Sequence, residues 1–578
     1  MHRFLSSCPK ITWPLLAILL ACALPAGAVD FNVSSADELQ AALNAAAANA
    51  SDNEIVLESG TTYAGDFFFR PLSDTRLVIR GALEDATWPV ISDGHIGFIV
   101  VGLSVDIEMT DLIFEGADFD FPRDSLQSLT LTSVDMIDTG IPHLKVDGAV
   151  RLERVKMPLS VNIWGNKGYD ETHPNASLTI LNSTISLYYQ DPVEYGAGIV
   201  DIGGALSITD SQILLAGKFG VVGTQHFPFS FYAGVIFLEG NSLQVKNPTL
   251  FELSPEEVKL AETLQMFGSR YAPFQRFEVT NNKLLGSTKL RIYHPDLLAT
   301  GNTCDQGTLA LDPEGREGSS GASVISGNKN CRLEISAEHM IVESNESMCV
   351  TPESDQHPVD DPVDGSYCVD LAMYGTAKVR NNTFSELEIS GTGDLTVENN
   401  IIWSAEAEAS VMLDSFPDWA VLSNNIINGY TGYWNTVSDN LIVDPEFFDV
   451  ANGDFHVTMG SPAINAGLNT AVTDPEATDL DGNPRILNDT VDIGAYERST
   501  TALHPADSNG DGSISLDEFN AYNEAWRENV TWPAAPSQIP VDFVTRAGYL
   551  LQKGGSYHNI GVGKPATWVP ADEHAVDE

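Results

Sequence analysis

Positive charge is scarce in this 578-residue chain: 30 Lys and Arg stand against 80 Asp and Glu, a formal net charge of -50. A surface of that sign repels phosphate backbones and anionic lipid headgroups, which argues against nucleic acid and membrane surfaces as partners. It favours cations, calcium above all, and it also keeps an exported protein soluble. Cysteine is scarce as well, with six in all. Four of them, Cys304, Cys331, Cys349 and Cys368, fall in one stretch without any C-x-x-C spacing, which argues against zinc. Four cysteines allow three pairings; the sequence-local set, Cys304–Cys331 and Cys349–Cys368, is the expected one, with free thiols as the alternative. Beyond residue 28 no run reaches the ~18–20 apolar residues of a membrane helix. Between residues 55 and 460 no long stretch of 3.6-residue periodicity appears, which argues against alternating β-α units. With 43% hydrophobic and 19% charged residues, the chain has material for a large core and too little charge to stay disordered.

The first segment reads as an address. Arg3 and Lys10 precede an apolar run from Ile11 to about Leu24, and Ala26-Gly27-Ala28 fits a signal-peptidase site. Leu19-Leu20-Ala21-Cys22 offers a competing lipoprotein box with Cys22 lipidated. Either way the expectation is export, to the medium or the cell surface.

What fills the middle is short β-rich runs broken by Asn, Gly and Asp. Ile55-Val56-Leu57, Arg76-Leu77-Val78-Ile79, Leu112-Ile113-Phe114, Leu178-Thr179-Ile180-Leu181 and Ala205-Leu206-Ser207-Ile208 are examples. Asn281-Asn282, Asn381-Asn382, Asn399-Asn400 and Asn424-Asn425 recur with single members at Asn302, Asn328, Asn345 and Asn440. From Asn282 onward the gaps are 20, 26, 17, 37, 18, 25 and 15, where 37 reads as two coils of about 18. Turns at Asp111, Asp135, Ser183 and Asp210 extend the series upstream. A period near 20 predicts a parallel β-helix, in which each coil buries its apolar side chains only by stacking on its neighbours. Asparagine suits a left-handed corner, and stacked amides can hydrogen-bond along the column. On the order of 20 coils would make a rod of about 90–100 Å. A β-sandwich array is the alternative. Ser35 and Glu38 at capping-box spacing, with Leu39, Ala42 and Leu43 after them, predict a helix over 34–49 that covers the first coil.

The opening, Ser34 to Leu43 followed by Ile55-Val56-Leu57 and Gly60-Thr61-Thr62-Tyr63, resembles the start of secreted bacterial right-handed parallel β-helix proteins. The far end is similar to the C-terminal segment of bacterial surface β-helix proteins of the choice-of-anchor type. Its residues are Asp444-Pro445-Glu446-Phe447, Ser461 to Gly467, Asp479 to Arg485 and Val491 to Glu497. The resemblance spans about residues 31–498 and implies a fold, since that family has no single reaction. Asp479, Asp481 and Asp492 read as calcium ligands or as carboxylates capping tight turns.

The sharpest chemical signal is residues 507–518, Asp-Ser-Asn-Gly-Asp-Gly-Ser-Ile-Ser-Leu-Asp-Glu. This matches the EF-hand loop at every specified position. Calcium takes six to eight oxygens. Asp507, Asn509 and Asp511 would supply side-chain oxygens, Gly512 the sharp turn, Ser513 its carbonyl, Ser515 a water-mediated contact and Glu518 a bidentate carboxylate. Helices are predicted over Leu516–Glu528, with Phe519, Tyr522 and Trp526 as core, and over Val541–Leu551. With no entering helix before Asp507, the unit resembles the loop-helix units of dockerins, though a dockerin carries two such loops.

The expected fold is therefore all-β, a right-handed parallel β-helix solenoid with an N-terminal capping helix, plus a small α-helical EF-hand or dockerin-like module. The expected organisation is signal peptide 1–28, β-helix 29–498, linker 499–506, calcium module 507–555 and tail 556–578. Two functions suit it. One is a secreted or cell-surface calcium-binding protein that holds a glycan or a surface partner. The other is a carbohydrate-active enzyme, most plausibly a polysaccharide lyase on an acidic glycan. For the second, Arg151, Arg154 and Lys156, or Lys289, Arg291, Tyr293 and His294, are the candidate basic groups, with solvated surface charge as the plainer account. No pectin-hydrolase motif is present. The acidic stretch Asp355 to Asp364, with His357, Asp360 and Asp361, reads as an insertion or a metal loop.

Overall fold

The computed structural model describes residues 29–82, 87–100, 103–120, 126–137, 146–160, 177–188, 199–216, 229–246, 263–268, 277–286, 288–293, 296–305, 307–311, 322–348, 368–404, 409–450, 453–458, 460–474, 476–487, 489–498, 503–508, 512–533, 536–559 and 565–570. The signal segment with Cys22, together with Cys349 and the 355–364 stretch, lies outside them.

Twenty-nine strands form one sheet whose neighbours run parallel. All five runs singled out in the sequence are strands or parts of strands, at Asn53–Leu57, Thr75–Gly81, Val105–Glu115, Ser177–Leu181 and Ile199–Thr209. Period-2 alternation decides which side chains turn inward: Asn53–Leu57 reads buried, half-buried, buried, half-buried, buried. One column can be followed through the whole stack, buried from Ile55 to Leu422 with half-buried Phe31 and exposed Val437 at its ends: Phe31, Ile55, Ile79, Met109, Leu131, Leu152, Ile180, Ile208, Leu238, Val279, Ala299, Ile325, Val342, Val379, Val397, Leu422 and Val437. Each member is in register with the next. Each large apolar side chain so buried stabilises the fold by roughly 1.5–3 kcal/mol. The pairing is that of a parallel β-solenoid.

The column has seventeen rungs, fewer than the period suggests. At ~4.8 Å per step they span about 77 Å. The 37-residue gap is one reason: Asn345 donates its backbone N–H directly to Asn382 Oδ1 at 2.9 Å, so the two asparagines lie on adjacent rungs. The step from Asn241 to Asn282 is likewise a single rung.

At the corners the asparagine pairs divide two tasks. The first members, Asn281, Asn381, Asn399 and Asn424, have φ of 54° to 57°, in the left-handed region. Asp111, Asn182, Asp210, Gly240, Gly301, Gly327 and Ser344 hold that position in other coils. The upstream turn expected at Asp135 sits at Ser133 instead, with Asp135 inside the strand Leu126–Ile137. The second members form the ladder. From Asn241 through Asn282, Asn302, Asn328, Asn345, Asn382, Asn400 and Asn425 to Asn440, each backbone N–H and each side-chain amide donates to the next Oδ1 at 2.8–3.1 Å. Ser211 and Ser183 carry the same bond one and two coils earlier.

The N-terminal cap is helix α1, Ala36–Ala47, which buries Leu39, Ala42, Leu43, Ala46 and Ala47. Ser35 caps Glu38 N–H as expected, but the Glu38 carboxylate reaches Ser34, accepting from its N–H at 2.8 Å and its hydroxyl at 2.9 Å. Edge protection comes from Gln40. Its amide donates to Phe68 O at 3.0 Å and accepts from Phe68 N–H at 2.8 Å, closing the edge strand Phe67–Phe69 as another strand would.

Residues 444–498 add no further rung to the column. They run across the flank, where Ile493, Ala463 and Val457 pack on Ile401 and Ile426, with Leu441 beside them. Gly494 N–H donates to Asn399 O at 2.9 Å, and Ala495 N–H to Thr383 Oγ1 at 2.9 Å. Further up, Tyr496 donates to Glu346, and Lys329 pairs with Asp481 at 3.5 Å. The Cys304–Cys331 disulfide is formed. Cys368 is disulfide-bonded too.

The C-terminal module has its own core of Ala506, Ile514, Tyr522, Phe543, Val544, Ala547, Leu550, Tyr557 and Trp568. It is built on helices α2, Leu516–Arg527, and α3, Val541–Gln552, with an antiparallel hairpin, Tyr557–Asn559 and Trp568–Pro570. Tyr522 is buried and Phe519 partly so, whereas Trp526 is 36% exposed and leaves the predicted core.

Candidate metal centre

The loop that matches a calcium site begins on a rigid base. His504, fully buried, accepts from Ala506 N–H through Nδ1 at 3.1 Å, so its Nε2 carries the proton donated to Phe543 O at 3.1 Å. Burial pushes the His504 pKa down to about 4, which keeps the ring neutral in that role. Asp507 follows, also buried. Its Oδ2 accepts from Gly512 N–H at 2.9 Å and from Tyr557 O–H at 2.7 Å. The Tyr557 hydroxyl in turn accepts from His504 N–H at 2.9 Å.

Gly512 has a φ of 78°, a left-handed turn that a side chain would strain. Ile514 is buried, and its N–H donates to Gly555 O at 2.9 Å while Tyr557 N–H donates to Gly512 O at 3.1 Å. A short two-stranded bridge, Ser513 opposite Ser556, thus ties the loop to the segment after α3. Glu518 closes the circuit from the first turn of α2. Its Oε1 accepts from Ser508 N–H at 3.0 Å, and its Oε2 accepts from Ser515 N–H at 2.9 Å in a capping box. Positions 2 and 12 of the loop are therefore already in contact.

Of the five ligand candidates, Asp507, Ser513 and Glu518 lie on this frame, and Asn509 and Asp511 lie outside the described residues. Among the described residues no group of three or more His, Cys, Asp or Glu is arranged to hold a metal. The donor set suits a hard cation: a buried carboxylate, a left-handed glycine turn, and a second carboxylate folded back across the loop.

The other candidates resolve differently. Asp479 Oδ1 accepts from Asp481 N–H at 3.0 Å and Asn483 N–H at 2.7 Å, and its Oδ2 accepts from Glu497 N–H at 2.8 Å. Asp492 accepts from Asn465 N–H and Arg498 N–H, each at 2.6 Å. Asp481 holds His456 Nε2 at 2.6 Å. These are turn-capping and ion-pairing carboxylates. The basic runs are engaged as well: Arg151 with Glu153 at 2.8 Å, Arg154 with the same Glu153, and Lys289 with Glu334 at 2.5 Å. Lys289 and Arg291 do share the strand Lys289–Tyr293, while His294 lies outside the described residues.

No local motif warned of the ionic cluster on the flank. His456 sits between Asp454 at 2.5 Å and Asp481 at 2.6 Å, with its ring 4.1 Å from that of Tyr496. Burial works to lower its pKa, but the two carboxylate bonds prevail and carry it up to about 10. Arg485, fully buried, pairs with Glu497 at 3.0 Å; burial pushes the Glu497 carboxyl up to about 8 against the pull of that guanidinium. Only assembly of the strap brings these residues together, so no local motif announces them. Among the described residues no helix is long and apolar enough to cross a membrane. No family model and no curated protein matches this chain.

Proposed function

We propose that this is an exported, calcium-binding β-solenoid protein that holds a glycan or a surface partner without transforming it. The observation that carries the metal half is the closed loop, with Glu518 folded back onto Ser508 beside the buried Asp507. In this reading Asp507, Asn509, Asp511, the Ser513 carbonyl and Glu518 hold one Ca2+, with Ser515 acting through water. The ion supplies charge that rigidifies the loop, and its binding adds to the module's folding free energy. The right-handed coil and the EF-hand or dockerin-like character of the module belong to this proposal, as does secretion through the 1–28 signal. Support for a binding rather than a lyase role comes from the basic runs, whose Arg151, Arg154 and Lys289 are already matched by carboxylates.

Calorimetric titration of calcium into the chain lacking residues 1–28 tests the metal half. One saturable site is expected. Glu518→Gln keeps the capping box, since Gln serves at that position, but loses the charge, and should weaken binding at least tenfold. A titration without saturable heat would sink the proposal.

A further inference from the structure

Five successive coils turn at the same corner, between the strand segments that begin and end Arg332–Glu343 and Val369–Arg380 and their partners below. Register fixes what lies there. His339, Thr376, Asp394 and Trp419 are directly opposite one another on consecutive rungs. The corner backbone is stacked tightly. A Cβ on Gly393 would lie 1.8 Å from Gly375 O, and one on Gly432 would lie 2.3 Å from Leu413 O. Trp434 turns into the core, whereas other side chains of these turns stand in solvent. Aromatic rings do so here repeatedly: Tyr374 is 60% exposed, Phe416 83%, Trp419 53% and Tyr433 58%. They sit on three rungs of one corner, with Phe416 and Trp419 on the rung between those of Thr392 and Tyr433. Scattered single hydrophobics on a surface need no explanation, but four exposed aromatics gathered at one corner mark an interaction site.

Charge selects the partner. The corner segments 338–339, 374–376, 391–394, 414–419 and 430–435 contain Glu338, Asp394, Asp414 and Asp418 and neither Lys nor Arg. Carboxylates beside aromatic rings suit a partner with flat apolar faces and many hydroxyl donors, and they repel a polyanion. We propose that this corner binds a neutral polysaccharide lying along the solenoid axis, with sugar rings stacked on Phe416, Trp419 and Tyr433. Asp394, Asp414 and Asp418 then accept hydroxyl hydrogen bonds. The rungs repeat at ~4.8 Å, so the rings offer a graded platform to a chain of similar pitch. This deepens the partner-binding reading above, and rests on it, by naming the surface and the class of glycan.

Affinity electrophoresis of the full chain through gels containing xyloglucan, mixed-linkage β-glucan, arabinoxylan or galactomannan, with polygalacturonate and alginate as polyanion controls, tests it. Retardation on at least one neutral polymer is expected, unaffected by raised salt and reduced at least tenfold in Phe416→Ala/Trp419→Ala. Both positions are solvent-facing, and circular dichroism checks that the variant is folded. Quenching or shift of tryptophan emission in the unsubstituted chain gives a second readout that needs no variant. Retardation by the polyanions alone, by no polymer, or equally in the variant overturns the proposal. So does sedimentation showing that the corner instead joins two copies of the chain. Calcium titration of the same sample separates the two readings: a normal site without retardation removes the corner proposal and leaves the metal site standing.

Discussion

The Asn400 side chain serves four neighbours at once. Its Oδ1 accepts from the backbone and amide nitrogens of Asn382, and its Nδ2 donates to Val379 O, Glu398 O and Asn425 Oδ1, each at 2.9–3.0 Å. It is wholly buried, so no water replaces what is removed. Asn400→Ala would leave the backbone N–H and one amide hydrogen of Asn382 without acceptors, at about 1–3 kcal/mol apiece. A loss of about 3 kcal/mol or more is expected from denaturant unfolding, where an exposed control such as Asn32→Ala should cost far less. This ladder was legible in the sequence because identical residues had to recur for identical bonds to form. Which member of each pair turns the corner and which stacks was not legible, since either asparagine tolerates either task. Ser211 was harder still: a hydroxyl can replace an amide oxygen, and small polar residues are too common to stand out.

Among the elements, the strands followed directly from alternating burial, and α1, α2 and α3 from caps and spacing. Coil number did not, because a coil of 37 residues with an excursion and two coils of 18 look alike along a sequence. Trp526 illustrates the limit of helical spacing: it lies seven residues after Phe519, yet α2 turns it toward solvent. The 507–518 motif stands out along the sequence, whereas the groups that hold Asp507 and Glu518 in place do not. Tyr557 lies 50 residues from Asp507 and reaches it only because the bridge between Ser513 and Ser556 folds the chain back. Groups that orient a ligand from behind typically change metal affinity 10–100-fold when removed. Tyr557→Phe, which keeps the ring in the core and deletes the hydroxyl, is therefore expected to weaken calcium binding about tenfold in the titration described above. It should leave the helix signal in circular dichroism unchanged.

At the scale of the molecule, protonation governs how the flank is held. His456 is charged in the folded chain up to about pH 10, while an unfolded histidine titrates near 6.5. Its contribution is therefore complete below about pH 6.5 and is lost as pH rises through 10. Replacing it leaves Asp454 and Asp481 facing each other without a cation between them. His456→Gln should cost about 3 kcal/mol at pH 6, and the gap to the unsubstituted protein should narrow steadily toward pH 10 in equilibrium unfolding. A gap that does not change with pH would mean that the histidine acts by shape alone. None of this was visible in the sequence, because Asp454, His456, Asp481 and Tyr496 belong to a segment without period.

A stack in which each layer touches only its neighbours frays from either end, layer by layer. The C-terminal part of this one is laced. Residues 444–498 are fastened at Lys329, Glu346, Thr383, Asn399, Ile426 and Leu441, one attachment on each of six successive layers. Those layers cannot peel away singly while the lace holds, so they melt as a block, and hydrogen exchange there should have one common opening free energy. Among the described residues the layers before residue 300 carry no such lace, and they are left to open by degrees.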